Sequence, residues 1–153
     1  MNTRRRLIAA AAAAPLAALT PHALAQGAPR IEVYKSPTCG CCNDWIGHLR
    51  SNGFAVVAHD VGNNGARARL GLPARYGSCH TGVIDGYAIE GHVPAREIRR
   101  LLTERPQAIG LAVPEMPFGS PGMDGPQYGN RVDPYDVLLV LRDGSARVFQ
   151  SYR

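Results

Sequence analysis

Residues 31–42 have the sequence IEVYKSPTCGCC and place three cysteines between a predicted strand and a predicted helix. The strand is indicated by alternating apolar and polar residues over 31–35. The helix is indicated by apolar side chains at i, i+3, i+4 and i+7 from Cys42. Because a helix start carries unpaired backbone N–H groups and partial positive charge, it stabilises thiolates. We therefore expect thiol chemistry here, either binding of a soft metal or exchange of disulfides.

The order of the predicted elements indicates an α/β protein. The order β-α-β-α-β-β-α, with cysteines between the first strand and the first helix, is typical of the thioredoxin-like fold. Residues 107–134 are dense in glycine and proline and predict a long loop, which a C-terminal β-hairpin follows. The predicted elements after the first helix are a strand at 54–61, a helix at 66–70, a hairpin of 81–84 with 87–90, a helix starting at Pro94, and a hairpin of 137–141 with 146–149.

The first 25 residues have the features of a secretory signal peptide. Three arginines at 4–6 precede an apolar run at 7–19, and Ala23-Leu24-Ala25 is a small-residue cleavage signal. The arginines also fit a twin-arginine export signal. The apolar run is shorter than the ~20 residues of a bilayer span. We therefore expect an exported protein without a membrane span, with a signal peptide at 1–25 and one thioredoxin-like metal-binding domain at 26–153.

Composition and motifs exclude several classes of function. The chain has 17 basic and 12 acidic side chains, but three arginines and no acidic residue belong to the predicted signal peptide. Because the exported part is only mildly basic and has no basic run with interleaved aromatic residues, we expect no nucleic-acid partner. P-loop, dinucleotide-binding and G-x-S-x-G motifs are absent from the sequence. Redox activity on metal ions or thiols is the enzymatic activity left open.

Cys39 and Cys42 form a C-x-x-C pair, the spacing of a thiol–disulfide oxidoreductase. Cys41 argues against that role, because a third thiol would scramble a two-electron exchange. Thioredoxin-like oxidoreductases also place a cis-proline before the third strand, where this sequence has Cys79 and His80. If the topology holds, Cys79 converges on the other three cysteines and completes a four-thiolate site.

The adjacency of Cys41 and Cys42 bears on the choice of metal. Thiolates select Cu(I), zinc or iron–sulfur clusters. Structural zinc usually takes separated pairs of ligands, whereas neighbouring side chains diverge and favour binding or bridging of two ions. This favours a polynuclear Cu(I) cluster. Structural disulfides are the alternative in an exported protein, and a Cys39–Cys42 bond would leave Cys41 to reach Cys79.

Further candidate ligands lie beside the cysteines and in the long loop. His80 adjoins Cys79, and its position suits a metal ligand and a hydrogen-bonding loop histidine equally well. Met116 and Met123 lie in the loop, and thioethers bind Cu(I), although buried filler is the commoner role of methionine. The other histidines of the exported chain are predicted to have structural or surface positions: His48, His59 and His92.

Five segments match one protein family in order and span nearly the whole exported chain. They are YKSPTCGCC at 34–42, CHT at 79–81, EGHVP at 90–94, MP at 116–117 and GSPGM at 119–123. On these segments the chain resembles the CopG-like periplasmic metal-binding proteins, long known as a domain of unknown function. One departure is Glu115, where the family usually has glycine, which adopts backbone angles that glutamate avoids.

The resemblance implies a thioredoxin-like fold, a periplasmic location, and association with other copper-resistance proteins. It also implies copper binding through Cys39, Cys41, Cys42 and Cys79. The leading hypothesis is a periplasmic protein that sequesters, shuttles or redox-processes Cu(I) during copper stress. The alternatives are a thiol–disulfide oxidoreductase that uses the C-x-x-C pair and a non-catalytic zinc protein held by the same thiols.

Overall fold

The computed structural model describes residues 27–153, so the predicted signal peptide lies outside the described residues. Over the described part of the chain, seven strands form one mixed sheet and three α-helices pack with it. Within 27–153, none of the helices is long and apolar enough to cross a membrane. The elements are β1 Arg30–Lys35, α1 Gly40–Ser51, β2 Ala55–His59, α2 Asn64–Arg69, β3 His80–Ile84, β4 Tyr87–Glu90, α3 Ala95–Glu104, β5 Ala108–Ala112, β6 Tyr135–Leu141 and β7 Ala146–Tyr152. The strands lie in the sheet in the order β2-β1-β3-β4-β5-β6-β7.

The register of the sheet brings three connections to one edge. β1 runs parallel to β2 and antiparallel to β3, and Lys35 at the end of β1 pairs with His80 at the start of β3. β3 and β4 are antiparallel, and Thr81 pairs with Glu90. The loop after β1, the loop before β3 and the loop after β4 therefore meet at the same edge. The cysteine motif, Cys79 and the residues after Glu90 lie in these three loops.

The buried face of α1 is the predicted one. Its buried side chains are those of Cys42, Trp45, Ile46 and Leu49, at helical spacing. Trp45 is fully buried and donates a hydrogen bond from Nε1 to the carbonyl oxygen of Val93, at 2.8 Å. This bond satisfies the indole N–H in the core. The cysteine-bearing end of α1 is thus anchored to the segment between β4 and α3.

The prediction of one unbroken loop over 107–134 is wrong at its start. Ala108–Ala112 forms β5, which lies inside the sheet, parallel to β4 and antiparallel to β6. Gly110 interrupts its pairing with β6, and a Cβ there would lie 1.8 Å from the carbonyl oxygen of Ala88. A glycine that permits such a close backbone approach weakens the local signal of a strand. Because glycines and prolines surround them, these five strand residues were predicted as part of the loop.

The rest of that segment is irregular, as predicted, and covers the start of α1. Gly122 has a φ of +85°, and a Cβ there would lie 2.6 Å from the backbone nitrogen of Trp45 and 2.9 Å from the carbonyl oxygen of Cys41. Its N–H donates to Oδ1 of Asp124, at 2.8 Å. The loop thus packs its backbone directly on the backbone of the cysteine-bearing turn.

His48 was predicted to be a surface histidine, and the structure gives it a different role. Its Nε2 accepts a hydrogen bond from the backbone N–H of Ala95, at 3.1 Å. Ala95 is the first residue of α3, and Pro94 precedes the helix rather than forming its first residue. The free N–H groups at a helix start need such partners. His48 therefore joins α1 to α3.

Candidate metal centre

The four cysteines lie together at the shared edge of the sheet. Their sulfur atoms all lie within 4.8 Å of one another. Cys39 immediately precedes α1, Cys41 and Cys42 belong to its first turn, and Cys79 immediately precedes β3. Cys42 is buried and the other three are half-buried. The convergence of Cys79 on the motif is thus a property of the sheet register, because these residues are far apart in sequence.

Two of the four cysteines are joined. Cys39 and Cys42 form a disulfide, whereas Cys41 and Cys79 are free. The Cys41 sulfur lies 3.6 Å from that of Cys39 and 4.0 Å from that of Cys79. This is the pairing considered for an oxidised form of the chain. Four thiolates are available only after this disulfide has been reduced.

Two buried histidines contact Cys79. Nδ1 of His80 and Nε2 of His92 each lie 3.3 Å from its sulfur. Both imidazoles are fully buried, and the His80 ring packs against Trp45 with the ring centres 4.2 Å apart. His80 was an open candidate, and the structure places it beside the sulfur. His92 was predicted to cap or pack, and it lies equally close to Cys79.

Burial controls the protonation of these groups. Loss of solvation, followed by the neighbouring Cys41 thiol, raises the pKa of Cys79 to about 12. Burial lowers the pKa of His80 well below its usual value, and the charge of His92 adds to this effect. Burial also lowers the pKa of His92. Without a cation, the centre at pH 7 therefore holds a neutral thiol and two neutral imidazoles.

A buried carboxylate holds the loop that carries Cys79. Oε1 of Glu90 accepts hydrogen bonds from Nε and a terminal nitrogen of Arg67 at 3.0 and 2.7 Å, and from the N–H of Ser78 at 2.7 Å. The hydroxyl of Thr81 donates to Oε2 at 2.6 Å. Arg67 also donates to the carbonyl oxygen of Ser78, at 2.7 Å. The backbone on the N-terminal side of Cys79 is thus fixed by an ion pair between α2 and β4.

The two candidate methionines differ in position. Sδ of Met116 lies 3.9 Å from the sulfur of Cys41, and its side chain is about half exposed. Met123 is buried, and its backbone N–H and carbonyl bond to Ser120 and Gly119. The structure thus brings Met116 to the cysteines and gives Met123 a part in the turn of the covering loop.

His92 and Glu90 were not predicted to belong to the centre, although one signal in the sequence locates them. The two-residue turn Asp85-Gly86 sets the register of β3 against β4, so that Thr81 pairs with Glu90. Continued by two residues, this register places His92 opposite Cys79. The register of a predicted hairpin can therefore identify contacts between residues that the spacing of motifs along the sequence does not indicate.

Comparison with known proteins adds to this geometry. Residues 76–123 match the family described as "Protein of unknown function, DUF411". A solved structure named "Copper resistance protein copG- Form 2" is 48% identical, covers 82% of this chain and 99% of its own, and has a TM-score of 0.76. A second structure, named "Copper resistance protein copG- Form 1", is 49% identical, with 82% and 98% covered and a TM-score of 0.74. No curated protein matches the chain.

Proposed function

The chain belongs to the family of the structures named copper resistance protein copG and matches the DUF411 family over residues 76–123, and from this premise we propose that it is a periplasmic copper-binding protein. It holds Cu(I) through Cys39, Cys41, Cys42 and Cys79 and acts in copper resistance, alongside other periplasmic copper-resistance proteins. Residues 1–25 serve as its export signal. Copper is the cargo in this proposal.

The observation that carries the proposal is the convergence of four sulfur atoms within 4.8 Å. Soft thiolates select Cu(I), zinc or iron–sulfur clusters, and the similarity to structures named for copper resistance favours copper among them. Neighbouring residues such as Cys41 and Cys42 do not easily chelate one tetrahedral ion together, which favours bridging between ions. Met116, at 3.9 Å from Cys41, adds a thioether at the exposed side. A polynuclear copper–thiolate cluster is the arrangement that these donors favour.

The order of the first four strands supports a thioredoxin-like core. β1 lies between parallel β2 and antiparallel β3, and β4 pairs antiparallel with β3. Together with the first three helices, this is the β-α-β-α-β-β-α arrangement expected from the sequence. In that fold Cys79 occupies the place of the cis-proline of oxidoreductases. In this fold the helix N-terminus that carries the redox pair of an oxidoreductase therefore lies beside a fourth sulfur, that of Cys79.

The metal-loaded form requires reduction of the Cys39–Cys42 bond. A thiol reductant supplies two electrons and two protons, leaves as a disulfide, and frees both sulfur atoms. Cu(I) then displaces the thiol protons. Burial raises the pKa of the Cys79 thiol, so metal binding at this sulfur displaces a proton.

Competition for Cu(I) tests this proposal. Anaerobically reduced protein is titrated with Cu(I) in the presence of a chromophoric Cu(I) chelator. We expect more than one Cu(I) per chain, and a loss of copper in Cys79→Ser. Ser36→Ala, an exposed change in the loop before the motif, is the matched control and keeps the full amount. One ion per chain, or one zinc held in preference to copper, contradicts the proposal.

A second candidate function is thiol–disulfide exchange, and the Cys39–Cys42 disulfide favours it. Cys39 precedes the first turn of α1, where the helix N-terminus stabilises an attacking thiolate. An oxidoreductase reduces insulin in the presence of dithiothreitol, needs Cys39 and Cys42, and tolerates Cys79→Ser. A copper site shows the opposite dependence on Cys79. The two assays on one variant therefore separate the two functions.

A further inference from the structure

His80 and His92 present unprotonated ring nitrogens to one sulfur atom. Nε2 of His80 lies 2.9 Å from the carbonyl oxygen of Gly91, and Nδ1 of His92 lies 2.8 Å from that of Pro121. A carbonyl oxygen only accepts, so each of these nitrogens carries the ring proton. In the neutral rings the opposite nitrogens, Nδ1 of His80 and Nε2 of His92, carry the lone pairs. Each lone-pair nitrogen lies 3.3 Å from Sγ of Cys79.

A single thiol cannot satisfy both nitrogens. The S–H group of Cys79 has one proton and can donate it to one acceptor. Both imidazoles are fully buried, and the two ring nitrogens that face Cys79 share its single sulfur as their partner. Buried polar groups in folded proteins nearly always have partners. A cation bound at the centre of the three atoms satisfies all of them at once.

We propose that Cys79, His80 and His92 form a second metal subsite, which takes a divalent d-block ion of the zinc or copper(II) class. The inference rests on the proposed function through Cys79, which both sites share. The three ligand atoms lie within 4.8 Å of one another. None of the three residues takes part in the Cys39–Cys42 disulfide. The subsite is therefore complete in the oxidised chain, in which the four-sulfur site is not.

The donor set determines the class of ion. Imidazole nitrogen is a common ligand of zinc and copper(II), whereas ligand sets made only of sulfur suit Cu(I). Two neutral imidazoles and one thiolate therefore favour zinc or copper(II). Sulfur and nitrogen ligands of a tetrahedral zinc are ~3.6 Å apart, as Zn–S and Zn–N distances of ~2.3 and ~2.05 Å require. The observed separations of 3.3 Å need only a small outward shift to admit an ion.

The surroundings hold the two rings in place. The carbonyls of Gly91 and Pro121 fix the tautomers, as outer-shell acceptors do at metal-ligating histidines. Cys79 is half-buried, so solvent reaches the centre on its side. The Cys41 sulfur lies 4.0 Å from that of Cys79. A fourth coordination position is thus available to Cys41 or to water.

Cobalt(II) is a suitable probe, because it reports its ligands by absorption and does not oxidise thiols as copper(II) does. The full exported chain, with the Cys39–Cys42 bond intact, is titrated with Co(II) under anaerobic conditions. We expect one Co(II) per chain, a sulfur-to-cobalt charge-transfer band, and the intense visible bands of four-coordinate cobalt. His80→Gln and His92→Gln weaken binding at least tenfold, whereas His59→Gln, on the edge strand β2, leaves it unchanged.

A second measurement uses the wild-type chain and so tests the subsite even if the histidine variants fail to fold. The imidazole 15N shifts of the wild-type chain are recorded before and after addition of Zn(II). Coordination moves the resonances of Nδ1 in His80 and Nε2 in His92, and leaves the tautomers as they are. Absence of cobalt binding by the disulfide form, cobalt bands that survive both histidine changes, or unmoved 15N resonances overturn the subsite.

The outcomes separate the two proposals. The double variant Cys39→Ser/Cys42→Ser loses the copper cluster and keeps the cobalt spectrum. If the reduced wild-type chain binds several Cu(I) and the disulfide form binds no Co(II), only the second subsite is wrong. If Co(II) binds through both histidines and Cu(I) is not held, the four-sulfur proposal is wrong.

Discussion

Glu115 shows how one residue carries local strain beside the centre. Its φ is +64°, in the left-handed region that glycine adopts without penalty. The hydroxyl of Ser78 donates to its carbonyl oxygen at 2.6 Å, so its backbone conformation is tied to the loop that carries Cys79. The resembled family usually has glycine at this position. The departure seen in the sequence thus corresponds to strain in the folded chain.

Replacing Glu115 by glycine is expected to stabilise the fold. Relief of the left-handed conformation contributes about 1–2 kcal/mol, and the greater freedom of glycine in the unfolded chain offsets about half of it. We expect a net gain of about 0.5–1 kcal/mol in the free energy of unfolding, measured by urea denaturation. Glu115→Ala is the control and gains nothing. A glycine variant no more stable than the alanine variant would show that the strain is absent.

His80 makes the stability of the metal-free protein depend on pH. Burial, with the charges of His92 and Lys35, keeps its pKa in the folded chain well below 6.5. As pH falls below about 6.5, the unfolded chain binds a proton at this residue and the folded chain does not. Unfolding is therefore favoured by acid, at up to about 1.4 kcal/mol per pH unit for this one group.

The variant His80→Gln is expected to flatten this dependence. Urea denaturation of the metal-free chain at pH 7, 6 and 5 measures the slope, and Ser36→Ala, which removes no titratable group, serves as the control with an unchanged slope. Equal slopes for His80→Gln and the parent chain would assign the acid sensitivity to other groups.

At the scale of elements, the β3–β4 hairpin and α2 position the loop that carries Cys79. Glu90 of β4 pairs with Arg67 of α2, and both bond to the backbone of Ser78. The Glu90 side chain is fully buried, and that of Arg67 is largely so. Removal of one member of a buried ion pair leaves the other charge without compensation and typically costs about 3–5 kcal/mol.

Glu90→Ala is accordingly expected to lower the free energy of unfolding by about 3–5 kcal/mol and to weaken Cu(I) binding. The pair of Arg100 with Glu104 is the matched control, because both side chains are exposed and the two residues lie one helical turn apart. Exposed pairs contribute about 0–1 kcal/mol, so Glu104→Ala changes little. Urea denaturation and the Cu(I) competition assay give both readouts. Similar losses in the two variants would contradict a special role of Glu90.

The covering loop depends on the absence of a side chain at Gly122. A Cβ there meets the backbone of α1 at 2.6 Å, whereas at Gly129, with a similar positive φ, it meets nothing within 4 Å. Gly129→Ala therefore reports only the cost of the left-handed conformation, about 1–2 kcal/mol. Gly122→Ala adds a clash that lifts the loop. We expect it to be clearly less stable than Gly129→Ala and to be cleaved faster by protease within 113–134; equal behaviour would mean that the loop does not pack on α1.

At the scale of the whole molecule, the predictable parts are those with a local pattern. α1 and the two hairpins follow from the stripe of α1, the Asp85-Gly86 turn and the Asp143-Gly144 turn, which act over a few residues. The order of elements in the first half of the chain was predicted for the same reason. β5 was not predicted because it pairs with strands that are distant in sequence. Gly110 permits the close approach of a neighbouring strand, but a glycine weakens the sequence pattern that would indicate a strand.

The metal centre also has parts that were predicted from the sequence and parts that were not. The convergence of Cys79 on the cysteine motif was predicted from topology, and the sulfur positions agree with it. His92 and Glu90 depend on a strand register and were not predicted to belong to the centre. The Cys39–Cys42 bond was one of several pairings compatible with the sequence, because the redox state of four neighbouring thiols depends on the surroundings of the protein.

The proposed function depends on four thiolates that bind more than one Cu(I) in a shared cluster. Copper K-edge X-ray absorption of the anaerobically reduced, copper-loaded exported chain can detect such a cluster. We expect the edge of Cu(I), a first shell dominated by sulfur, and a copper–copper scattering contribution that disappears in Cys79→Ser. A spectrum without copper–copper scattering, or one unchanged by the loss of Cys79, would show that the four thiolates do not hold a shared cluster.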